Sequence, residues 1–319
     1  MINVACVIFL VRFHFRALID HWSSLQHLQE NDSILDIGCG SGIQALSLVA
    51  RLSPEKTTKA VVKCVDINQR ALRVTKLNFE WNNFDAPTLI HGNINQPSAR
   101  IFLESRGAAV HPKTGKSKSW MELLGKSSAN YLVSNPPFLP VPVHDPTISS
   151  RYGLFSSGGS SGEEFFESLV RLASNVLDER DPSAIMAVVS EFMNPSGDFD
   201  RRLSSWWGID NGDGGGTCSA RALLLTNERA LDAAEYAQRR ADGENEALQW
   251  KEHLENNDIE FISPGLMFLR RSNSVTCKTM AVDLTHVVVP KTRAGSIWTP
   301  TNSVGRDFTR LHIDKFTCV

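Results

Sequence analysis

Two short stretches of this chain combine residue types and spacings that can do chemistry. Asp36-Ile37-Gly38-Cys39-Gly40-Ser41-Gly42 stands where a short apolar run, Ser33 to Ile37, gives way to a helix-like stretch, Ile43 to Leu52. Glycines at a strand-to-helix turn let the backbone approach a ligand and take positive φ. The free N–H groups and dipole of the following helix favour a nucleotide-like or carboxylate-bearing group. Asp66 closes a second apolar run, Ala60 to Val65. A carboxylate at a strand end can accept both hydrogen bonds of a ribose diol, and Ile67 beside it would lie against a flat base. The bland alternative for Asp66 is an acid capping the next helix.

The second stretch is Asn135-Pro136-Pro137-Phe138, directly after the run Tyr131 to Ser134. In an open α/β fold this is the carboxyl edge of the sheet, where ligands bind. The prolines stiffen the backbone and remove two N–H donors, which leaves carbonyl acceptors beside the Asn135 side chain. Such a cradle suits an NH₂ group: the Asn135 oxygen and the Pro136 carbonyl each take one hydrogen bond, and the nitrogen lone pair is turned out of conjugation. The gain is positioning and electrostatics, without a strong base. Phe138 can stack on a flat amide or base.

The elements that must position these groups alternate in type. Apolar β-like runs at Ser33–Ile37, Ala60–Val65, Thr88–His91, Tyr131–Ser134, Ala184–Phe192 and Ala222–Thr226 are interleaved with helical patterns at 19–28, 43–52, 69–81 and 163–177. That order predicts an α/β fold, a doubly wound, mostly parallel seven-stranded sheet covered on both faces. The last strand, Ile259–Arg270, is interrupted by Pro264-Gly265 and is expected at an edge, antiparallel. Residues 227–257 are expected to be largely helical, and 208–217 to form a turn. The stretch 100–128, with Arg106, Lys113, Lys116, Lys118 and Lys126 among Gly, Ser and Pro, is expected as an inserted solvated loop, or as a basic lip for a phosphate backbone. The division expected is 1–30 as an N-terminal helical lead-in that is a truncated remnant or a complete segment, 31–271 as the main domain, and 272–319 as an extension.

Composition sets bounds. Apolar residues make up 42% of the 319, enough for a core, and the formal charge of −2 gives no global signal for nucleic acid or an acidic membrane. The six cysteines form no CxxC pair and no zinc-like spacing, so reduced thiols in an intracellular, most simply cytoplasmic, protein are expected, with no metal. No apolar run reaches the roughly 18 residues of a membrane helix. Ile2–Val11 is apolar but is followed, not preceded, by Arg12, His14 and Arg16, which is the reverse of a signal peptide.

The glycine spacing separates two cofactor classes. A dinucleotide site needs G-x-G-x-x-G, whereas here Ile43 holds the third position and Gly42 comes one residue early. The G-x-G-x-G turn, with Asp36 two residues before its first glycine, resembles class I S-adenosylmethionine-dependent methyltransferases. With Asp66 and Asn135-Pro136-Pro137-Phe138 in order, the chain is similar to their amino-methylating branch. The run from Arg151 to Phe166, with its Leu-Phe pair, glycines and acidic helix start, resembles the release-factor glutamine methyltransferases. The resemblance covers 33 to about 226. It implies that S-adenosyl-L-methionine is the cofactor, with its methionine end at Asp36, Gly38, Gly40 and Gly42, its ribose at Asp66 and its adenine between Ile67 and Asn93. The family usually has aspartate at Asn93, and an asparagine carbonyl can still accept from the adenine amine. Two family features are absent: the entrance motif, where only Arg16-Ala17-Leu18-Ile19-Asp20 stands, and the helical substrate-docking domain. Phe13 or Phe15 would cover the cofactor or pack in the core.

Four functions are compatible with these residues: methylation of a protein glutamine amide, as on a release factor; methylation of an adenine or guanine amine in RNA or DNA; a non-catalytic module that kept the fold; and a nicotinamide-dependent oxidoreductase. Glycine spacing disfavours the last and the intact Asn-Pro-Pro-Phe the third. The Phe155–Phe166 run favours a protein partner and the Lys113–Lys126 stretch favours nucleic acid, with the balance towards protein.

Overall fold

The computed structural model describes residues 32–52, 60–96, 98–103, 113–114, 117–142, 144–195, 198–208, 219–226, 230–272 and 276–281. Strands β1 (Ser33–Ile37), β2 (Val61–Asp66), β3 (Thr88–His91), β7 (Tyr131–Ser134) and β8 (Ile185–Met193) lie parallel in the order β3-β2-β1-β7-β8. Beyond β8 come β11 (Phe261–Ser272), antiparallel to both neighbours, then β9 (Ser219–Thr226) and β12 (Thr276–Ala281). The expected doubly wound, Rossmann-like sheet is therefore present. The chain reverses spatial direction after β3, so β1 and β7 straddle the switch point where such sheets bind ligands.

Strand pleating sorts the core onto two faces. Leu35, Ile37, Leu132, Met186 and Val188 point into one apolar cluster, whereas Ile34, Tyr131, Val133, Ala187 and Val189, their neighbours in sequence, point into the other. Helices α1 (Ile43–Leu52) and α2 (Gln69–Trp81) cover the second face. In α2 the buried residues Leu72, Thr75 and Phe79 recur at helical spacing, and Asn68 caps its start by accepting from the Arg70 N–H. The first face is covered by α3 (Trp120–Leu124), α5 (Glu164–Val176) and α6 (Phe199–Trp207).

A third cluster sits over the carboxyl edge of β7 and β8. Helices α4 (Pro146–Ser156), α7 (Ala233–Arg240) and α8 (Glu244–Asn256) bring Ile148, Tyr236 and Trp250 onto Leu139, Val141 and Met193. Glu191, near the end of β8, accepts from the Tyr236 hydroxyl (2.6 Å) and from Arg240 (2.5 Å). A buried charge is tolerable there because it is paired and hydrogen-bonded.

Two expectations are corrected. The antiparallel strand is interior, not an edge. Its Pro264 is accommodated because the ladder to β10 (Leu231–Asp232) ends at Ile262 and the ladder to β9 begins at Gly265, so on that flank Pro264 has no strand to supply with an N–H. The stretch 100–128 is not simply a loop. Strand β4 (Ser98–Leu103) pairs antiparallel with β3 and with the short β5 (Lys113–Thr114) and β6 (Lys118–Ser119). A capping box joins Ser119 and Glu122 at the start of α3, and the Trp120 indole donates to Gln96 O (2.7 Å). The stretch 227–257, expected to be largely helical, holds α7 and α8, and the expected turn at 208–217, apart from Gly208, lies outside the described residues, as do residues 1–31 and 282–319. Among the described residues, no helix is long and apolar enough to cross a membrane.

Trp250 is fully buried at the centre of the carboxyl-edge cap, with Tyr152 and Tyr236 edge-on to it at 5.4 and 6.2 Å. Trp250→Ala should lower unfolding free energy by about 3–5 kcal/mol, measured by urea denaturation; a loss under about 1 kcal/mol would show that the cap adds little to the fold.

Candidate active site

At the end of β1 the chain folds back on itself: the N–H groups of Gly38 and Cys39 both donate to Val65 O, at 2.9 and 3.0 Å. Gly38, Gly40 and Gly42 have φ of +71°, +56° and +72°, a region that costs other residues roughly 1 kcal/mol or more. At Gly42 space is closed as well, because a Cβ would stand 2.5 Å from Thr75 Cγ2. Helix α2 clamps this turn: the Thr75 hydroxyl donates to Gly40 O (3.1 Å) and the Asn78 amide to Ser41 O (2.8 Å). Sequence reading missed both residues. The signal for Thr75 is a polar residue on an otherwise apolar buried stripe.

Asp36 is wholly buried under the turn, where Oδ2 accepts from the Ala45 N–H (3.1 Å) at the start of α1 and Oδ1 has no partner. Burial pushes its carboxyl up to about 7, against the pull of the Ala45 N–H and with added repulsion from Asp66. The cavity beside it, about 620 Å³, is walled by Ile37, Gly38 and Gly40 rather than by Asp36 itself. Asp66 does line it. Its two oxygens accept from Gly40 N (2.8 Å) and Asn68 N (2.7 Å), which ties the glycine turn to the end of β2 and leaves each oxygen a further lone pair. Ile67 and Asn93 line the same cavity. The Ile67 carbonyl is held by His91 Nε2 (2.9 Å), and Asn93 Oδ1 already accepts from Asn95 N (3.0 Å).

Asn135 stands across the switch point. The Ser134 hydroxyl donates to Ile37 O (2.6 Å) and pins the end of β7 beside the end of β1. A Cβ at Gly38 would lie 3.9 Å from Asn135 O, so the glycine turn and the Asn-Pro-Pro segment face one another across a single cavity. Asn135 is half-buried, and its Oδ1 is buried with no partner. Pro137 lines the cavity, whereas Pro136 is buried and Phe138 packs against the third cluster. The expectation that Phe138 stacks on the acceptor is thus not what the structure shows: its ring is spent on the cap.

The segment after Phe138 pairs with the glycine loop 157–162, through Leu139 N to Ser156 O, Gly158 N to Leu139 O and Val141 N to Gly159 O. A Cβ on Gly162 would fall 2.8 Å from Phe138 O, so only glycine lets the loop lie flat here. This loop brings Gly158, Gly159, Glu164 and Phe165 to the cavity, together with Ser149 from α4, which sequence reading did not foresee. Among the described residues, the ionisable side chains on the wall are Asp66 and Glu164. Among the described residues no cluster of His, Cys, Asp or Glu could hold a metal. The arrangement offers acceptors and carboxylates to a ligand; the buried Oδ1 of Asn135, a wall residue, has no partner, and Asp36 Oδ1 is a second unpartnered oxygen, sealed beneath the glycine turn.

Asp36 holds its proton more tightly folded than unfolded. Between pH ~4 and ~7 the folded state therefore binds the extra proton, so stability falls as pH rises through this window and levels off above it, by about 4 kcal/mol in all. Asp36→Asn should lose that slope, so urea denaturation from pH 4.5 to 8 should show the difference between variant and wild type growing with pH. Parallel curves would show an ionised Asp36 throughout.

Comparison with known families matches residues 17–102 to the methyltransferase small domain. A ribosomal protein L11 methyltransferase of Staphylococcus saprophyticus is 39% identical over 77 residues, which is 24% of this chain and 23% of that protein. The chain thus matches less than a quarter of that relative's length. Solved structures similar to the chain include a putative sarcosine dimethylglycine methyltransferase from Galdieria sulphuraria, 14% identical with a TM-score of 0.38, covering 80% of this chain and 85% of that one. The YcgJ protein of Bacillus subtilis is 11% identical with a TM-score of 0.41, covering 82% and 100%. The stretch 17–102, which holds the glycine turn and Asp66, matches the methyltransferase small domain, and its described strands belong to a Rossmann-like sheet.

Proposed function

We propose that this chain is an S-adenosylmethionine-dependent N-methyltransferase whose acceptor is the amide of a protein glutamine side chain, with residues 31–271 as the working unit and 1–30 and 272–319 as flanking segments. The observation that carries the reading is one cavity lined together by the glycine turn, Asp66 and Asn135, with the Asn135 Oδ1 buried and without a partner. An unsatisfied buried acceptor costs roughly 1–3 kcal/mol unless a ligand fills it.

The residues fit the cofactor. The backbone of Gly38 and Gly40 leaves room for its methionine end above Asp36, Asp66 keeps lone pairs for a ribose diol, and Ile67 and Asn93 wall the place of a base. When bound, S-adenosylmethionine supplies a methyl group on a positively charged sulfur. The chain's own part is to orient the acceptor. Asn135 Oδ1 and Pro136 O each take one amide N–H, which turns the nitrogen lone pair towards the glycine turn. The methylated amide nitrogen carries both protons and a positive charge and is strongly acidic, so one proton leaves to solvent by way of the hydrogen-bonded acceptors, and the wall needs no strong base.

A protein acceptor is favoured over nucleic acid by the wall of the cavity, which has no lysine or arginine among the described residues; of the basic stretch, Lys118 pairs with Ala99 beyond the carboxyl end of β3, and Lys126 lies away from the site. Ser127 and Ser128, which follow Lys126, donate to Asn175 O and Val176 O at the C-terminal end of α5, and Asn130 donates to Ser33 O at the start of β1. This is the amino edge of the sheet, opposite the cavity, so Lys126 is no lip to the site. The L11 methyltransferase relative is, by its name, a protein-methylating enzyme, which accords with this choice.

Asn135→Ala should lower transfer by roughly 100-fold or more, the scale of losing one oriented polar contact in a transition state, while calorimetry finds cofactor affinity within several-fold; unimpaired turnover would refute the role of Asn135. Asp66→Ala should weaken cofactor binding about tenfold or more, since two charge-assisted hydrogen bonds are lost; unchanged affinity would remove Asp66 from the site. Incubation with labelled cofactor and cell extract, followed by protease or nuclease, should release the label with protease only. Label released by nuclease would overturn the protein assignment.

A further inference from the structure

The acceptor half of the cavity has a charge pattern that methyl transfer alone does not require. Its wall includes Asn135, Pro137, Ser149, Gly159, Glu164 and Phe165, and Glu164 is the one ionisable side chain of that set. Among the described residues no lysine or arginine lines the cavity.

Glu164 is held in place from two sides. Its Oε1 accepts from the backbone N–H groups of Ser160 (2.9 Å) and Ser161 (3.4 Å). Its carboxylate fills the space over Gly159, where any Cβ would collide with Oε2, and Gly159 itself has φ +95°, a conformation that already favours glycine. Oε1 is thus occupied by the loop, while no hydrogen bond or lysine or arginine ion pair is formed by Oε2 among the described residues. The titratable group that feels Glu164 is His253. Its Nε2 contacts Ser160 O at 2.8 Å, and burial holds its pKa below the usual histidine range, so it brings no fixed positive charge at neutral pH. The buried cations of the surrounding elements are committed elsewhere: Arg202 to Glu163, and Arg240 to Glu191.

A fixed carboxylate with one open oxygen, exposed at the rim of the cavity, attracts a cation and repels a phosphodiester. We infer that Glu164 is a specificity-determining residue: the acceptor is a polypeptide segment with a lysine or arginine beside the methylated amide, the cation pairing with Glu164 Oε2 while the amide rests on Asn135. This inference rests on the protein-amide reading above. The constraints are local and physical: Gly159 gives the carboxylate room, the Ser160 and Ser161 N–H groups orient it, and among the described residues no cationic side chain on the wall competes with the substrate for its charge.

The test uses the full chain, labelled S-adenosylmethionine, and synthetic peptides with a central glutamine flanked on both sides by lysine, alanine or glutamate, beside a single-stranded adenine-containing oligonucleotide. The expected kcat/KM order is lysine above alanine above glutamate, with about tenfold or more between the extremes. Glu164→Gln keeps an oxygen for the loop N–H groups, and should shrink that spread to about twofold or less; Glu164→Lys should reverse it. Cofactor affinity, measured by calorimetry on each variant, should stay within a few-fold. Equal use of the three peptides by the wild type, or a spread that survives in Glu164→Gln, overturns the inference while leaving amide methylation standing. A loss of cofactor affinity large enough to account for the change in kcat/KM overturns it too, by moving Glu164 to the cofactor half. Methylation of the oligonucleotide and of no peptide overturns both the inference and the protein-amide reading, and leaves N-methylation intact.

Discussion

The structure depends on one close approach, in which three parallel strands end at the same level so that the turn after the middle one can fold over its neighbours. Val65 O on β2 accepts two N–H groups from the turn, and Ile37 O accepts the Ser134 hydroxyl on β7. A side chain at Gly38, Gly40 or Gly42 would have to adopt positive φ, and at Gly42 it would also strike Thr75. The tightness is what brings Asn135 O within van der Waals range of the Gly38 position. Without it, the cavity would split into two unrelated surfaces.

Burial and electrostatics then divide the labour among the carboxylates. Asp36 is sealed beneath the turn and pushed up to about 7 by desolvation. Asp66 is half-buried, tied by two N–H groups, and carries lone pairs into the cavity. Glu164 is exposed and oriented by a loop. The same functional group thus serves as a buried polar reserve, a strand-end acceptor and a rim anion, because solvent access differs at the three places.

The cap over the carboxyl edge explains why Phe138 is not a cavity residue. Segment 139–141 pairs with the glycine loop, and Phe138 packs against the cluster that holds Trp250. Apolar burial against a well-packed cluster wins over exposure to an open cavity, so this aromatic stabilises the wall rather than facing the ligand. Phe165, from the start of α5, is the aromatic that reaches the cavity.

The sequence by itself determined the order of elements and the ends of several of them: Ser33–Ile37, Ile43–Leu52, Gln69–Trp81, Thr88–His91 and Tyr131–Ser134 occupy the residues that their periodicity predicts. It also located the glycine turn, Asp66 and Asn135, because turn chemistry and strand ends are local and leave a local pattern. The partners that close the site, Thr75, Asn78, Ser149 and Glu164, were not legible in the same way, since nothing near them in the chain records which distant backbone they meet. The strand 261–272 shows the same limit. Its proline argued for an edge, but a break between two neighbouring ladders lets it lie inside the sheet. Whether a residue such as Phe138 faces a ligand or a core was decided only by tertiary packing, because the same side chain is stabilised by apolar contact in either direction and only the surrounding cluster fixes which one is offered.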